Sequence, residues 1–490
     1  MLFNSYIFVF LFFPLVVCGY YAFHHWKKPK MALGYLLLMS MVFYGYNSIE
    51  YLVILMVSVV LNYMLVELLD KTGRMALRRL LLAAGLGVNL GILFYYKYYD
   101  FFIENVNAWF KTDYALLQLM LPLGISFYTF QQLSYVIDSY RRECRKYSFL
   151  EYAAYVIFFP QLIAGPIVYH DELIVQLRDE KNHKVNYGNL CKGLYAFSLG
   201  LAKKVLVADT LSKIVTWAYD NKSYQTTLSG IIVMLCYTLQ IYYDFSGYSD
   251  MAYGIGYMFN VRLPFNFNSP YKADSVSEFW DRWHMTLTRF FTKYVYIPLG
   301  GNRKGTVRTQ LNIFAVFLVS GIWHGANWTF ILWGVLHGIA KIAERIFGNA
   351  LERIPRFIRR ILTFSFVTVT WSLFRAESLS QFQRFWKYTF KPRNLHGQFY
   401  DRDILDIVNH LTETRILYRF GFGGVMDRFP LFPIVAFVVL LILACFFLKN
   451  TQEKVEDGHY GAWRFLVTVV LLFWSVLSLS DVSEFLYFNF

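Results

Sequence analysis

Three of the chain's ten histidines, His284, His324 and His337, lie in apolar, aromatic stretches. An ionisable group in such a setting is costly and points to chemistry by default. Desolvation disfavours the imidazolium, so a buried ring is neutral and can take a proton from a hydroxyl. His324 sits within Phe317–Trp328. On a continuous helix, Asn327 and Trp328 would share its face, while Gly321 and Gly325 would clear room for close backbone approach or a substrate. The bland alternative is a histidine satisfied by an interhelical hydrogen bond. His284 lies within Phe279–Thr288, where Trp280 and Thr288 are its helical neighbours. The two histidines are 40 residues apart, or about 60 Å along one continuous helix. Turn signals at Pro298, Gly300-Gly301-Asn302 and Gly305 fall between them, so the segments can fold back and bring the rings together. His337 follows His324 by 13 residues, roughly 220° around a helix, and reads as structural. His24, His25, His170, His183, His396, His410 and His459 lie in polar stretches or beside basic loops and read as solvated or interfacial side chains.

Other groups carry weaker signals. The basic, glycine-rich run Gly300–Gly305, with Arg303 and Lys304, could touch a phosphate, or be a plain turn. Asp244 and Asp250 with Ser246 could bind a cation or a sugar, or serve helix capping and internal hydrogen bonding. The five cysteines are scattered, with no CxxC or Cys/His pairing, so neither a zinc site nor a disulfide framework is expected. The sequence has no GxSxG, HExxH or Walker loop.

The elements that hold these residues follow from composition. The chain has 490 residues; 57% are hydrophobic, 20% aromatic and 16% charged. That excludes a disordered chain and leaves too little polar surface for soluble domains. The expected class is an all-α, polytopic membrane bundle forming a single domain over residues 1–490. The net charge of +14 reads as the positive-inside rule rather than as nucleic-acid binding, because lysine and arginine sit in short loops between apolar segments.

Walking the chain, Leu2–Phe23 reads as a retained first span with its N-terminus outside, since the basic cluster Lys27–Lys30 follows it instead of preceding it. Met31–Gly45, Tyr51–Leu69, Leu80–Tyr96 and Leu116–Ile137 read as further spans. They place the basic loops around Lys71–Arg79 and Arg141–Lys146 inside, and a mixed loop at Asp100–Asp113 outside. The prolines of Phe158–Pro166 break an apolar run, which is tolerated at membrane depth only inside protein or beside a wet cavity. Tyr242–Pro298 is too polar for lipid and reads as re-entrant or interfacial helices. Residues 376–429 read as an extracytoplasmic loop or cap, Leu431–Phe447 and Phe465–Leu479 as two last spans, and Phe485–Phe490 as an interfacial aromatic belt.

Several motifs in order make the sequence resemble the membrane-bound O-acyltransferase family, in its bacterial branch that includes alginate O-acetyltransferase. They are Met1–Ser5, Gly124–Gln132, Phe158–Pro166, Gly200–Lys204, Asp244–Asp250, Phe279–Leu287, Tyr296–Arg303 and Trp323–Trp328. Asp281 departs from the pattern, because relatives often carry arginine there. The resemblance implies about a dozen helices, some short or re-entrant, around a central tunnel in a bacterial cytoplasmic membrane. It makes His324 the family's central histidine and His284 its second, with Trp323, Asn327, Trp280, Asp244, Ser246, Arg303 and Lys304 as candidate substrate contacts and no bound metal or cofactor. An acyl thioester such as acetyl-CoA would be the donor. The acceptor would be an extracellular or periplasmic polysaccharide, alginate-like, reached directly, through an acyl-histidine, or through a serine on an SGNH-hydrolase-like relay protein. Peptidoglycan O-acetylation and D-alanyl transfer to teichoic acid are alternatives on the same fold. A glycan or lipid-linked substrate transporter is the alternative of another class, although the paired repeats common in transporters are absent from the sequence.

Overall fold

The computed structural model describes residues 1–220, 227–391, 432–458 and 460–479, with positions 419, 421, 423, 424, 485 and 486. Among these residues the chain is helical, and the β-pairing is confined to an isolated bridge between Phe267 and Trp283. Six helices among the described residues are long and apolar enough to cross a membrane: Phe8–His25, Ile49–Lys71, Met75–Phe110, Thr227–Met258, Thr306–His324 and Arg356–Arg375. Phe432–Phe447 and Ala462–Leu477 are shorter apolar helices. Lipid-facing side chains such as Leu11, Val57 and Leu440 stay exposed, as expected where the surrounding solvent is hydrocarbon.

Three expectations need correction. Asp100–Asp113 is not a loop: nothing between Met75 and Phe110 breaks the helix, and a π-helical turn at Phe94–Tyr98 carries it through. Leu116–Ile137 is not one span. Residues 112–122 form no regular element, Gly124 adopts a left-handed φ of 72°, and the helix begins at Ile125. Pro122, which lacks an N–H, separates the two parts, and Asp100 holds the non-helical piece by accepting from the amides of Leu117 (2.7 Å) and Gln118 (2.8 Å). Tyr242–Met258, expected as re-entrant or interfacial helices, belongs instead to the continuous Thr227–Met258 helix, which runs through the centre of the molecule. Its carboxylates Asp244 and Asp250 are paired with lysines. The short, broken helices expected downstream are present as Val276–Arg282 and Met285–Phe291, followed by a π turn at Thr292–Tyr296.

Of the expected cap, residues 376–391 are described and include the Leu379–Thr389 helix. Most of 392–429, with His396 and His410, lies outside the described residues, as do His459 and most of the terminal aromatic run.

The Thr306–His324 and Trp328–Leu351 helices form the hairpin that carries His324. They pack backbone to backbone: a Cβ on Gly321 would collide with the carbonyl oxygen of Phe330, and one on Gly334 would lie 2.5 Å from that of Phe317. Such close approach is what small residues permit between membrane helices. Behind the hairpin, Trp283, Trp333 and Trp371 are fully buried, with Trp333 stacked on Trp371 at 5.8 Å.

Candidate functional site

His324 is the last residue of its helix. The chain then turns extended at Gly325, and Asn327 caps the next helix by accepting from the amide of Thr329 (3.0 Å). The expected shared face of His324, Asn327 and Trp328 is therefore absent, because the helix ends before it can form. Asn327 instead also donates to the carbonyl of Glu377 (2.5 Å), and the Trp328 indole donates to Asn105 (3.0 Å).

His284 is not in mid-helix either. It has a left-handed φ of 43° and sits at the N-terminal boundary of Met285–Phe291. The cause is a strand-like pairing with residues 266–268: Asn268 N–H donates to the Arg282 carbonyl (2.9 Å) and Met285 N–H to that of Asn266 (3.0 Å). That pairing pulls His284 out of register with Trp280, whose indole donates to His337 instead (3.1 Å).

A chain of donors fixes the His284 ring. Ile167 N–H donates to Thr286 Oγ1 (3.0 Å), so the Thr286 proton goes to Asn266 Oδ1 (2.6 Å). Asn266 Oδ1 is thus an acceptor, and His284 Nδ1, 3.3 Å away, donates to it. In the neutral ring this leaves the basic lone pair on Nε2.

The two histidine segments fold together, as the turn signals between them allow, and both rings pack on one indole. The Trp323 ring centroid is 6.2 Å from His284 and 4.9 Å from His324. Trp323 is stacked on Phe130 at 5.2 Å and touches Phe127 edge-on at 5.6 Å, so it acts as a buried wedge. Trp333 (5.2 Å) and Phe374 (5.1 Å) box the His324 ring from other sides. His284 is 1% exposed and His324 3%.

Two cavities lie near His324 along the chain. One, about 750 Å³, is polar and is lined by Lys97, Lys204, Asp209, Asp244, Asn327 and Arg375, among others, together with Gly325, the residue after His324. The other, about 310 Å³, is mainly apolar. It is lined by Trp280, Phe317 and Ser320, one helical turn before His324, with Lys341 and Arg345 also on its wall. His324 lines neither chamber; along the chain it falls between Ser320, on the wall of the apolar one, and Gly325, on the wall of the polar one.

The remaining candidates divide. Asp244 lines the polar chamber, but its carboxylate accepts from Lys204 Nζ (2.6 Å) and the amide of Leu486 (2.9 Å). Lys204 also pairs with Asp209 at 2.9 Å. Asp250 is held by Lys203 and Thr451, each at 2.6 Å. Internal pairing, not cation binding, accounts for both carboxylates. Ser246 is buried and does not line the chamber that Asp244 lines. Arg303 and Lys304 are exposed on a turn shaped by left-handed Gly300, Gly301 and Gly305 and line neither chamber. Asp281 is exposed and shares the wall of a separate cavity of about 620 Å³ with Arg289, Lys293 and Thr286.

His337, expected to be structural, has both ring nitrogens engaged, Nδ1 by Trp280 and Nε2 with Thr370 Oγ1 (3.0 Å), contacts that spacing could not give. His170 is a correction. It is buried, not solvated, with Nε2 3.3 Å from Asp138 Oδ2 and Nδ1 3.0 Å from the Tyr147 hydroxyl. Asp138 also receives Lys293 (2.9 Å) and Tyr294 (2.8 Å), and this polar knot offsets the cost of burying its charge.

Sequence reading missed Lys97, Asp209, Arg375 and Asn266, and gave Lys204 no role although it lies in the Gly200–Lys204 motif. Lys97 had a signal: a lone lysine in Phe94–Tyr99, an otherwise aromatic run inside an apolar helix. Three π-helical turns carry lysines: Lys97, Lys203 with Lys204, and Lys293. Such turns concentrate at functional positions.

A multi-pass membrane bundle with two histidines buried around one indole, near a polar and an apolar chamber, defines the class. The membrane-bound O-acyltransferase family matches residues 133–382. The chain is 36% identical to the peptidoglycan O-acetyltransferase of Helicobacter pylori over 100% of its own length and 98% of that protein. It is 38% identical to the Probable alginate O-acetylase AlgI of Pseudomonas putida over 100% of both chains. It is 24% identical to the teichoic acid D-alanyltransferase of Bacillus subtilis over 51% of its length and 68% of that protein. The chain belongs to the membrane-bound O-acyltransferase family and is an O-acyltransferase.

Proposed function

We propose that the protein transfers an acetyl group from a cytoplasmic thioester, acetyl-CoA or a close equivalent, to a hydroxyl on the far side of a bacterial cytoplasmic membrane, for O-acetylation of an extracytoplasmic glycan. The observation that carries this reading is the helix that ends at the buried His324: Ser320 on it lines a mainly apolar chamber with cations on its wall, and Gly325 just past its end lines a polar one. The thioester arm enters the apolar chamber, with Lys341 and Arg345 meeting its anionic end; the exposed Arg303 and Lys304 extend the positive potential at that end of the hairpin. The acceptor hydroxyl enters from the polar chamber. His324 takes its proton, the oxygen attacks the thioester carbonyl, the C–S bond breaks, and the proton passes to the departing thiolate. His284, oriented by Asn266, directs the acceptor or supports the developing oxyanion.

The acceptor is an alginate-like exopolysaccharide or the serine of an SGNH-hydrolase-like relay protein that serves it. Peptidoglycan is the second reading, favoured by the full-length likeness to a peptidoglycan O-acetyltransferase. D-Alanyl transfer has less support, because the corresponding likeness covers half the chain. The test is transfer of labelled acetyl from acetyl-CoA in sealed membranes, with alginate oligomers and peptidoglycan fragments offered separately. Wild-type protein labels one of them and His324→Ala, inserted at a normal level, labels neither. Normal labelling by that variant would overturn the reading.

A further inference from the structure

The helix that ends at His324 is fastened by one side chain from a distant helix. Lys97 Nζ donates to the carbonyl of Trp323 (2.7 Å), the carbonyl of His324 (3.2 Å) and the hydroxyl of Ser126 (3.2 Å). These acceptors lie on two other helices, and together they use all three protons of the ammonium. The adjacent Tyr98 hydroxyl donates to the carbonyl of Ile322 (3.0 Å). The last carbonyls of a helix have no partner of their own, and a cation there is favourable for the helix dipole. Lys97 also lines the polar chamber beside Gly325. Its π-helical turn brings it there: the extra residue in the turn re-aims the side chain without breaking the membrane helix.

Two alternatives explain less. A purely packing role would be met by an apolar residue at much lower cost in a membrane helix. A purely electrostatic role would not need simultaneous hydrogen bonds to both peptide units flanking the His324 Cα, with a third to Ser126. We propose that Lys97 is the positioning residue for His324: its ammonium locks the backbone at the helix end, so that the imidazole stays in its place against the Trp323 indole. This rests on the reading of His324 as the transfer residue. Lys97 does not touch the reacting atoms; it acts through His324.

The test measures acetyl transfer by the full-length protein in membranes, with insertion level and melting temperature in detergent read separately. Lys97→Met is expected to lower kcat at least tenfold while KM for acetyl-CoA changes less than twofold. Lys97→Cys is expected to be equally slow and to regain activity on aminoethylation with 2-bromoethylamine, which rebuilds the ammonium at nearly the same reach; wild type treated alike controls for the native cysteines. Tyr98→Phe, which keeps the ammonium, is expected to stay within threefold of wild type, and it decides the matter if the Lys97 variants do not insert. A normal kcat in Lys97→Met, a slow Lys97→Cys that aminoethylation leaves slow, or a tenfold loss in Tyr98→Phe would each overturn the proposal. Activity retained in His324→Ala would instead overturn the functional reading beneath it.

Discussion

Trp280 donates its indole N–H to Nδ1 of His337 across 3.1 Å, and this bond decides the histidine's role. With Nδ1 accepting, Nε2 carries the proton and donates to Thr370 Oγ1, whose own proton goes to the carbonyl of Val367 (3.0 Å). No nitrogen is left to serve a reaction. His337→Ala should strand the Trp280 N–H and the Thr370 hydroxyl and open a cavity, costing about 2–4 kcal/mol. The expected outcome is a lower melting temperature with turnover per folded molecule near wild type. A folded, stable variant without activity would return His337 to the list of catalytic candidates.

Lys204 is the hub of the polar chamber. It faces Asp244 at 2.6 Å and Asp209 at 2.9 Å, all three largely buried. Removing one partner of a buried pair leaves an uncompensated charge and costs about 3–5 kcal/mol, whereas removing both costs far less. Lys204→Met should therefore insert poorly, and Lys204→Met with Asp244→Asn should regain part of the loss. A double variant no better than the single one would show that Asp209 alone sets the charge balance.

The sequence made the apolar helices legible because a membrane span announces itself by length and hydropathy, and the three histidines stood out because ionisable groups are rare in such surroundings. What stayed hidden was where helices stop. His284 leaves its helix because residues 266–268 pair with 282–285, and His324 ends its helix at Gly325; both interrupt a periodicity that otherwise reads as continuous. The partners were hidden for the same reason. Lys97 reaches a carbonyl 226 residues away, and no local spacing encodes such a bond. His170 looked solvated because its neighbours in the chain are polar, yet its neighbours in space are Asp138 and Tyr147.

Glu151 supplies a pH test outside the membrane-spanning segments. Arg178 donates to its carboxylate through Nε (2.6 Å) and Nη2 (2.8 Å), and the Ser148 backbone and hydroxyl add bonds of 2.8 Å each. The Arg178 hydrogen bonds lead in holding the carboxyl at about 2, below its ordinary 4.5, against the opposing effect of burial. A folded value below the unfolded one means that the unfolded chain binds more protons in between, so the stabilisation is complete above pH 4.5 and is lost as pH falls towards 2. The melting-temperature gap between wild type and Glu151→Gln should be constant from neutral pH down to about 5 and close below that. Because the pair is open to water, salt should narrow the gap as well. A gap that widened in acid would contradict the assignment.

Asn266 offers the most direct handle on His284. It accepts from His284 Nδ1 through the same oxygen that takes the Thr286 proton, and its amide donates to Ser249 Oγ (3.3 Å). Asn266→Asp keeps an acceptor for Nδ1 but adds a buried charge that favours the imidazolium; Asn266→Ala removes the acceptor and lets the ring choose either tautomer. If His284 guides the acceptor or supports the oxyanion only when Nδ1 is the protonated nitrogen, Asn266→Ala should lower kcat by roughly tenfold to a hundredfold, less than the full worth of a general acid–base group, and leave KM for the thioester unchanged. Asn266→Asp should shift the pH–rate profile instead of merely scaling it. Wild-type kcat in Asn266→Ala, with His284→Ala inactive, would mean that the tautomer is set elsewhere and that Asn266 serves only the pairing with Met285.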